Sequence, residues 1–572
     1  MRLSRRKLLI AAGAAAAGGA LGRTGPSTAT EATPRARLLT TTPRQNELVE
    51  FRVDGVPLPG AGQNPFDPAQ FDVPVRYVGP GGRELVTTAF WHESDTWRAR
   101  LLAEVPGRWR AYVDNGAPVT VHVARSPTPG VVRRRDSQLV YPDGKPYLAL
   151  GENLAWSVGD VADDYQQWYA ALGEVGATWS RLWMSSWAFG LEWNDTPLGD
   201  YRARLGRAGL LDAVLALGEA QGVRAHLVLQ NHGAFSTTFN SEWASNPYNA
   251  ALGGPLATPE QLWTDATATE LFRRRYRYAV SRWWAHPGLL AWELFNEFDL
   301  MEYRQEVPAA VAWHREMATY LRDLDPLRRP ITTSLSVLGV LAPNAGYDEV
   351  WAVPDIDIVQ AHVYGSDAAP TDLLPALSIA ATRLRAHGKP FLHGETDTHS
   401  APAHEWDPTG EHLVDLVWGG LFTSAAGSAM PWWWDNYVDR RDLYHRFAGG
   451  FRFAGTNTDV IAGAEPATES ADSSIRPLTV HHLRNGDRGA MWIRNAQHTW
   501  FSPDDTTVSD ATVRVPGSRP TAVQFWNVST GEPTGPETVL DTAASTTTVS
   551  VPAFSRSIAL TYRHPRRTPR SG

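Results

Sequence analysis

The segment Trp292-Glu293-Leu294-Phe295-Asn296-Glu297 decides the interpretation of this chain, because a short apolar run ends there in an amide and a carboxylate. It belongs to one of eight strand-like runs, which alternate with amphipathic helical stretches and therefore predict parallel βα units. The eight runs are 147–151, 178–183, 225–229, 289–295, 331–335, 358–363, 390–393 and 428–432. Eight such units predict an α/β fold, a (β/α)8 TIM barrel, over residues 126–460.

Helical periodicity between these runs supports the barrel. In 210–221, for example, Leu211, Val214, Leu215 and Gly218 fall on one face of a helix. The longest loop, 233–262, follows the third strand, and loops of that length in a compact domain are usually functional.

Residues on both sides of the barrel alternate with a period of two. In 46–125, Trp97, Ala99 and Leu101 alternate with Arg98 and Arg100, which predicts an N-terminal β-sandwich. The turn 142–144 predicts a hairpin that leads into the barrel, and 470–563 predicts a C-terminal β-sandwich, followed by a tail at 564–572.

The first residues predict export. Ser4-Arg5-Arg6-Lys7-Leu8-Leu9 precedes an Ala/Gly-rich run that ends near Leu21, as in a twin-arginine signal peptide. The run is shorter than the ~20 residues of a spanning helix, so we expect a secreted protein without a stable membrane anchor. The remainder of 1–45 is Thr/Pro/Ala-rich and predicts a disordered linker.

Composition narrows the classes of function. The net charge of -8 over 572 residues argues against a nucleic-acid partner, and the absence of cysteine removes thiolate chemistry and cysteine-ligated metals. The chain has 24 Trp against 6 Met, and flat indole faces suit stacking on sugar rings. These features favour a carbohydrate substrate.

Two carboxylates end strands on opposite sides of the predicted ring. Glu297 ends the fourth strand, and Glu395 ends the seventh in Phe391-Leu392-His393-Gly394-Glu395. Catalytic groups of such barrels lie at the carboxyl ends of strands. Cleavage of a glycosidic bond needs one protonated and one ionised carboxyl group, so this pair predicts a glycoside hydrolase.

Other strand ends supply candidate substrate-binding residues. Arg181 could hold the nucleophile ionised or form a structural salt bridge to Glu293, and the Tyr364 phenol could donate to the nucleophile. For His232 and Glu152 a structural role and a sugar-binding role are equally open. The further candidates are Asn231, Asn296, His362, Trp433 and Trp434. A metal site at His393, Asp397 and His399 would have few ligands, so we expect no metal and no cofactor.

The two glutamates, Asn296 and the His362-x-Tyr364 pair resemble those of clan A glycoside hydrolases, which include family 5 cellulases and mannanases. Asn64-Pro65-Phe66-Asp67-Pro68 and Pro106-Gly107-Arg108-Trp109 resemble the DUF5060 domain that precedes such barrels in one bacterial branch. The resemblance implies that Glu297 is the acid/base, that Glu395 is the nucleophile, and that the anomeric configuration is retained without a cofactor. It also implies that Asn296 binds the sugar 2-hydroxyl. The branch often has Gly-Glu-Phe-Gly where this chain has Gly394-Glu395-Thr396-Asp397, which affects the substrate more than the chemistry.

The sequence therefore predicts an exported retaining glycoside hydrolase that acts on a polysaccharide or oligosaccharide of the β-glucan or β-mannan type. Its two carboxyl groups are expected about 5 to 5.5 Å apart. Two alternatives stay open. One is an exo-acting glycosidase on furanosides or short oligosaccharides, and the other is a catalytically inactive barrel that binds polysaccharide.

Overall fold

The structure is a computed structural model that describes residues 33–302, 306–341, 346–366, 368–398, 403–516, 521–540 and 546–564. The predicted export signal and the tail after His564 lie outside these ranges, as does His399. None of the helices within them combines the length and the apolar character that crossing a membrane requires.

In the described part of the N-terminal region, two antiparallel sheets have the strand orders β1-β2-β6-β5 and β4-β3-β7-β8. The strands are β1 Arg35–Leu38, β2 Leu48–Asp54, β3 Pro74–Val78, β4 Glu84–Thr88, β5 Phe90–His92, β6 Thr96–Leu102, β7 Gly107–Val113 and β8 Val119–Val123. Phe51 of the first sheet and Tyr77 of the second have ring centroids 5.8 Å apart, so the sheets share a core. Strand β1 pairs with β2 along its whole length. The predicted linker up to residue 45 is therefore wrong for Arg35–Leu38.

A short three-stranded sheet closes the amino end of the barrel. Its strands are β9 Arg133–Arg135, β10 Gln138–Val140 and β11 Pro146–Tyr147. β10 and β11 are antiparallel neighbours, which confirms the hairpin predicted across 142–144. Leu139 and Tyr147 pack with Trp179 and Ile358, the first residues of two barrel strands.

The barrel wall consists, within the described ranges, of seven parallel strands that pair in chain order. They are β12 Gly151–Asn153, β13 Trp179–Trp183, β14 Arg224–Val228, β15 Leu289–Glu293, β16 Ile331–Leu335, β17 Ile358–Tyr364 and β18 Phe391–Asp397. The predicted eighth strand is instead an irregular segment that still closes the ring. Met430 N–H donates to the His393 carbonyl at 3.1 Å, and Asn153 N–H donates to the Pro431 carbonyl at 3.0 Å. Pro431 has no N–H to give, so no regular ladder can continue there.

Helices surround this nearly closed barrel of the (β/α)8 class. They are α1 Val161–Glu174, α2 Leu205–Ala220, α3 Ala266–Trp283, α4 Val307–Leu324, α5 Val337–Leu341, α6 Leu374–Arg385, α7 Ala403–Trp406, α8 Glu411–Phe422, α9 His445–Thr456 and α10 Thr458–Ile461. The four residues predicted to share one face of 210–221 are all buried on α2, which confirms that prediction. The predicted long loop after the third strand contains only short 3-10 turns, of which His232–Phe235 is the first.

The C-terminal region forms two further antiparallel sheets from its described residues, with the orders β19-β21-β22-β27-β24-β25 and β20-β23-β26. The strands are β19 Glu465–Ala467, β20 Ala471–Asp472, β21 Leu478–Asn485, β22 Arg488–Asn495, β23 Thr512–Pro516, β24 Thr521–Trp526, β25 Thr538–Leu540, β26 Thr546–Ser550 and β27 Ser557–Arg563. Trp492 of the larger sheet packs on Trp418 of α8, with ring centroids 6.0 Å apart. One face of this sheet is therefore bound to the barrel.

The N-terminal sheets dock on the barrel through buried charges. Arg100 on β6 alternates with apolar residues, but it is 3% exposed because its guanidinium reaches both oxygens of Asp212 on α2 at 2.8 Å. Arg282 on α3 donates to the same carboxylate at 2.7 Å. Burial alone would raise the pKa of Asp212, yet the two guanidinium groups hold it well below its ordinary value.

Replacing Asp212 by Asn should lower the free energy of unfolding by about 3–5 kcal/mol, because two buried cations lose their shared anion. Denaturant unfolding of the full chain measures this. The control is Asp54→Asn, since Asp54 pairs at the surface with Arg52 and its loss should cost less than about 1 kcal/mol. Equal midpoints for the two variants would show that the buried charges do not hold the sheets to the barrel.

Candidate active site

Glu297 lies four residues beyond β15, at the carboxyl end of the barrel. Strand-like bonding continues to it, because Asn296 N–H donates to the Gln230 carbonyl at 2.8 Å. Glu297 itself adopts the left-handed conformation (φ 47°, ψ 50°), and its N–H donates to Ser334 Oγ at 2.9 Å. A non-glycine residue held in such a conformation costs on the order of 1–3 kcal/mol, so the backbone is constrained at the point where the carboxylate is presented.

The carboxylates of Glu297 and Glu395 form a close pair around His362. His362 Nδ1 lies 2.8 Å from Glu297 Oε1 and 3.4 Å from Glu395 Oε2. One oxygen of each carboxylate and this nitrogen lie within 4.8 Å of one another. The fourth and seventh barrel strands, β15 and β18, thus bring the two glutamates together across the mouth of the barrel.

Glu395 receives two direct donors. Arg181 Nη1 donates to Oε1, and the Tyr364 hydroxyl donates to Oε2 at 2.7 Å. Burial raises the pKa of Glu395 above its ordinary value, and the nearby Glu297 adds to the rise. His362, Arg181 and the Tyr364 hydrogen bond act in the opposite direction. The ionised form of Glu395 is therefore the form that its hydrogen-bonding partners favour.

Arg181 combines the two roles that the sequence left open. Its Nε and Nη2 donate to the two oxygens of the buried Glu293 at 2.8 and 2.9 Å, while Nη1 reaches Glu395. Burial would raise the pKa of Glu293, but Arg181 and His226 hold it far below its ordinary value. The ionised Glu293 fixes the guanidinium in the plane from which it reaches Glu395.

Neutral polar side chains lie next to the carboxylate pair. Asn296 Oδ1 accepts from Arg181 Nη2 at 2.6 Å, and its Nδ2 lies 3.2 Å from His232 Nδ1. His232 Nδ1 is in turn 3.6 Å from Glu297 Oε2. Burial lowers the pKa of His232 and that of His362 to about 4 each, so both imidazoles are neutral near pH 7. They hydrogen-bond at the pair without adding charge.

Glu152 does not belong to this group. Its neighbour Asn153 points inward and accepts from Arg181 Nη1 at 3.3 Å, and successive strand residues face opposite sides. Glu152 therefore points away from the barrel interior, where burial and the nearby Asp439 and Asp397 raise its pKa well above the ordinary value. Of the two roles left open for Glu152, this placement favours the structural one.

Asn231 lies at the end of the third strand, as predicted, and its Nδ2 donates to Glu242 Oε1 at 3.2 Å. Glu242 comes from the long loop and also accepts from Ser186 Oγ at 2.9 Å. No motif had marked Glu242, because a single acidic residue in a loop carries no spacing that distinguishes it.

His393 and Asp397, two of the three metal ligands considered from the sequence, contact different partners. His393 Nε2 lies 3.2 Å from Thr423 Oγ1, whereas Asp397 contacts His412 Nε2 at 3.1 Å. Glu297, His362 and Glu395 are close enough together to coordinate an ion, but the Arg181 guanidinium on Glu395 opposes a second cation there.

The two predicted tryptophans differ in exposure, and two further tryptophans lie near Arg181. Trp434 is 2% exposed and belongs to the core, so it offers no face to a sugar. Trp433 is half-buried and donates its N–H to the Thr398 carbonyl at 2.9 Å. Trp183 lies beside Arg181, whose Cζ is 5.4 Å from the ring, and Trp432 packs on Trp183 with centroids 5.3 Å apart. Trp183 could have been found from the sequence, because it lies two residues after Arg181 on the same strand face.

Comparison with known proteins relates this geometry to one class of enzyme. No family model matches the chain. It is 25% identical over 310 residues to mannan endo-1,4-beta-mannosidase F of Aspergillus fumigatus, which covers 48% of this chain and 67% of that protein. It is 28% identical over 274 residues to mannan endo-1,4-beta-mannosidase A of Podospora anserina, covering 44% of this chain and 69% of that protein. The match to the probable mannan endo-1,4-beta-mannosidase F of Neosartorya fischeri covers 48% of that protein's length.

A structural relative extends over most of the molecule. A crystal structure of a Bacteroides vulgatus protein proposed to be a glycoside hydrolase superposes with a TM-score of 0.62, at 14% identity. The superposition covers 92% of this chain and 100% of that chain. The likeness shows that the two proteins share their fold.

Proposed function

We propose that this glycoside hydrolase of clan A is a retaining, endo-acting β-mannanase. The observation that carries the proposal is the close carboxylate pair, in which Glu395 receives both Arg181 Nη1 and the Tyr364 hydroxyl. Similarity to mannan endo-1,4-beta-mannosidases supports β-mannan as the substrate within the β-glucan or β-mannan type expected from the sequence.

Glu395 acts as the nucleophile in this proposal, and Glu297 acts as the acid and then the base. Glu395 attacks the anomeric carbon while Glu297 gives its proton to the departing glycosidic oxygen, which leaves a covalent glycosyl-enzyme. Glu297 then removes a proton from water, and the water oxygen displaces Glu395. Two displacements retain the configuration. One oxygen of each carboxyl group lies within 4.8 Å of the other, a proximity that supports this route, since inverting enzymes hold the two groups about 6.5–9.5 Å apart to admit a water.

Arg181 and Tyr364 stabilise the ionised nucleophile before attack and again as the carboxylate leaves. Glu293 orients Arg181, and Asn296 is held between Arg181 and His232, where it can bind the sugar 2-hydroxyl. Trp183, which lies beside Arg181, and Trp432, which packs on Trp183, provide apolar ring edges for the sugar in this proposal.

The remaining regions have supporting roles in this proposal. The Arg5-Arg6 segment directs twin-arginine export, and the protein acts outside the cell. The two N-terminal sheets form a DUF5060-like β-sandwich that stabilises the barrel, as the Arg100–Asp212 contact supports. The C-terminal sheets form a second β-sandwich. The proposed domain limits are 46–125, 126–460 and 470–563, with the first extended to include Arg35–Leu38.

Activity on a panel of neutral polysaccharides and aryl glycosides tests this function. We expect hydrolysis of β-1,4-mannan with release of oligosaccharides of mixed length and a rapid fall in viscosity. Release of monosaccharide alone from aryl furanosides would favour the exo-acting alternative. Binding of polysaccharide without any hydrolysis would favour the inactive barrel.

Replacing Tyr364 by Phe should lower kcat about 10–100-fold, because a charge-assisted hydrogen bond to Glu395 contributes about 1.5–3 kcal/mol. The matched control is Tyr147→Phe, which removes the buried bond to the Thr178 carbonyl at the opposite end of the barrel. The control should lose stability and keep its kcat. Similar kcat values for Tyr364→Phe and the unaltered protein would contradict the role given to this hydroxyl.

A further inference from the structure

A cleft lies between helix α8 of the barrel and the C-terminal sheets, outside the catalytic pair. Its volume of about 570 Å³ is within the range of about 300–1,000 Å³ that is typical of small-molecule sites. Glu411 and Asp415 line it from α8. Arg494, His498 and Trp500 line it from the sheet side.

The charged groups of this cleft are balanced. Glu411 pairs with Arg556, and Asp415 pairs with Arg494, so each of the two carboxylates is matched by one guanidinium group. A charged ligand would have to displace one partner of a pair. A neutral hydroxyl group can instead donate to a carboxylate and accept from a guanidinium, so the balance favours a neutral polyhydroxyl ligand.

Asp415 and Arg494 are in direct but long contact, since Arg494 Nη2 donates to the two oxygens of Asp415 at 3.4 and 3.3 Å. Their closest nitrogen and oxygen atoms are 3.3 Å apart, whereas a direct charge-assisted bond is about 2.7–2.9 Å. Asp415 is largely withdrawn from water, and burial raises its pKa to about 6. A ligand hydroxyl would supply hydrogen bonding that Asp415 receives only weakly from Arg494.

Two largely buried aromatic side chains present apolar edges to the cleft. Trp500 donates its N–H to the Thr371 carbonyl at 3.1 Å, which fixes the ring and leaves its carbon atoms to line the cleft together with Phe554. An aromatic ring beside paired polar groups is the arrangement that suits a pyranose, which has apolar C–H faces and a polar rim.

The cleft lies at the catalytic end of the barrel. Asp415 and Trp500 also line a smaller adjoining cavity that reaches Thr371 and Thr398. Thr398 directly follows β18, which carries Glu395, and Thr371 follows β17, which ends at Tyr364. A polymer held in the cleft would therefore run past the loops that border the active site.

We propose that this cleft is a second carbohydrate-binding site, which holds a neutral oligosaccharide segment of a polymeric substrate while another segment occupies the catalytic pair. The identity of that polymer rests on the proposed function, whereas the site and its preference for neutral sugar do not.

Filling the cleft tests the proposal. Ala553 lines it and is exposed, so Ala553→Trp should block ligand entry without disturbing the core. The control is Ser509→Trp, an exposed position of the same region that does not line the cleft. In affinity electrophoresis of the full chain through gels that contain soluble β-mannan, Ala553→Trp should lose most of its retardation. Its KM for the polymer should rise about tenfold, equivalent to about 1.4 kcal/mol, with kcat/KM for an aryl glycoside unchanged.

A second variant keeps the test decisive if the new indole impairs folding. Asp415→Asn preserves the shape of the side chain and should weaken retardation, while an unchanged kcat/KM for the aryl glycoside shows that the barrel is still folded. Hydrolysis of mannan with normal retardation of both variants would overturn the cleft site and leave the proposed function standing. Retardation by another neutral polysaccharide that Ala553→Trp abolishes, without mannan hydrolysis, would support the cleft and overturn the function. Retardation by acidic polysaccharides alone would overturn the neutral ligand.

Discussion

Replacing Glu395 by Ala should abolish turnover of every glycoside, with kcat lowered by at least about 10⁴-fold. The variant has no side chain that can form the glycosyl-enzyme, so a good leaving group cannot compensate. Initial rates on β-mannan and on an activated aryl glycoside measure the effect, and a melting curve shows that the fold is preserved.

A matched control for this variant is Glu152→Gln. Glu152 is another buried strand-end glutamate of the same barrel, but it points away from the interior, and burial raises its pKa well above the ordinary value. The amide should therefore replace it with little change in kcat. Substantial activity of Glu395→Ala on the aryl glycoside, or a similar loss in both variants, would contradict the role of Glu395.

Replacing Glu297 by Ala should affect substrates unequally. Hydrolysis of mannan should fall by on the order of 10²–10⁴-fold, because the sugar leaving group needs a proton. An aryl glycoside with an acidic phenol needs none, so its first step should survive and the glycosyl-enzyme should accumulate. Added azide should then restore turnover, since this anion attacks without a general base, and the product should be a glycosyl azide of retained configuration.

Azide distinguishes the two glutamates because it can replace either one. In a variant that lacks the nucleophile, azide attacks the substrate directly and gives the inverted product. NMR of the azide formed by Glu297→Ala therefore decides the assignment. An inverted glycosyl azide from this variant would exchange the roles of Glu297 and Glu395.

Much of the barrel and its central pair could be predicted from the sequence, because parallel strands that pair in chain order place their carboxyl ends at one mouth. The strand-end positions of Arg181, His362 and Tyr364 follow from the same rule. The irregular eighth segment did not follow, since Pro431 interrupts the ladder while the neighbouring carbonyls and amides still close the ring.

Tertiary contacts explain the predictions that differ from the structure. Arg100 alternates with apolar residues as an exposed side chain would, yet it is buried by a carboxylate that lies 112 residues away in sequence. Glu152 and Asn153 both end the first strand, but their side chains point to opposite sides of the barrel wall, and only that of Asn153 points inward. Trp433 and Trp434 are neighbours in sequence, yet Trp434 packs in the core and Trp433 is half-buried, so sequence position alone could not identify which ring is accessible.

The covalent intermediate provides the most direct test of the central claim, that Glu395 is the nucleophile of a retaining glycoside hydrolase. An activated 2-deoxy-2-fluoro-β-mannoside destabilises the cation-like transition states, and its good leaving group still allows the first step, so the intermediate should persist. Mass spectrometry of the digested protein should locate one fluoroglycosyl group on the side chain of Glu395. A label on Glu297 or on any other side chain would contradict this account.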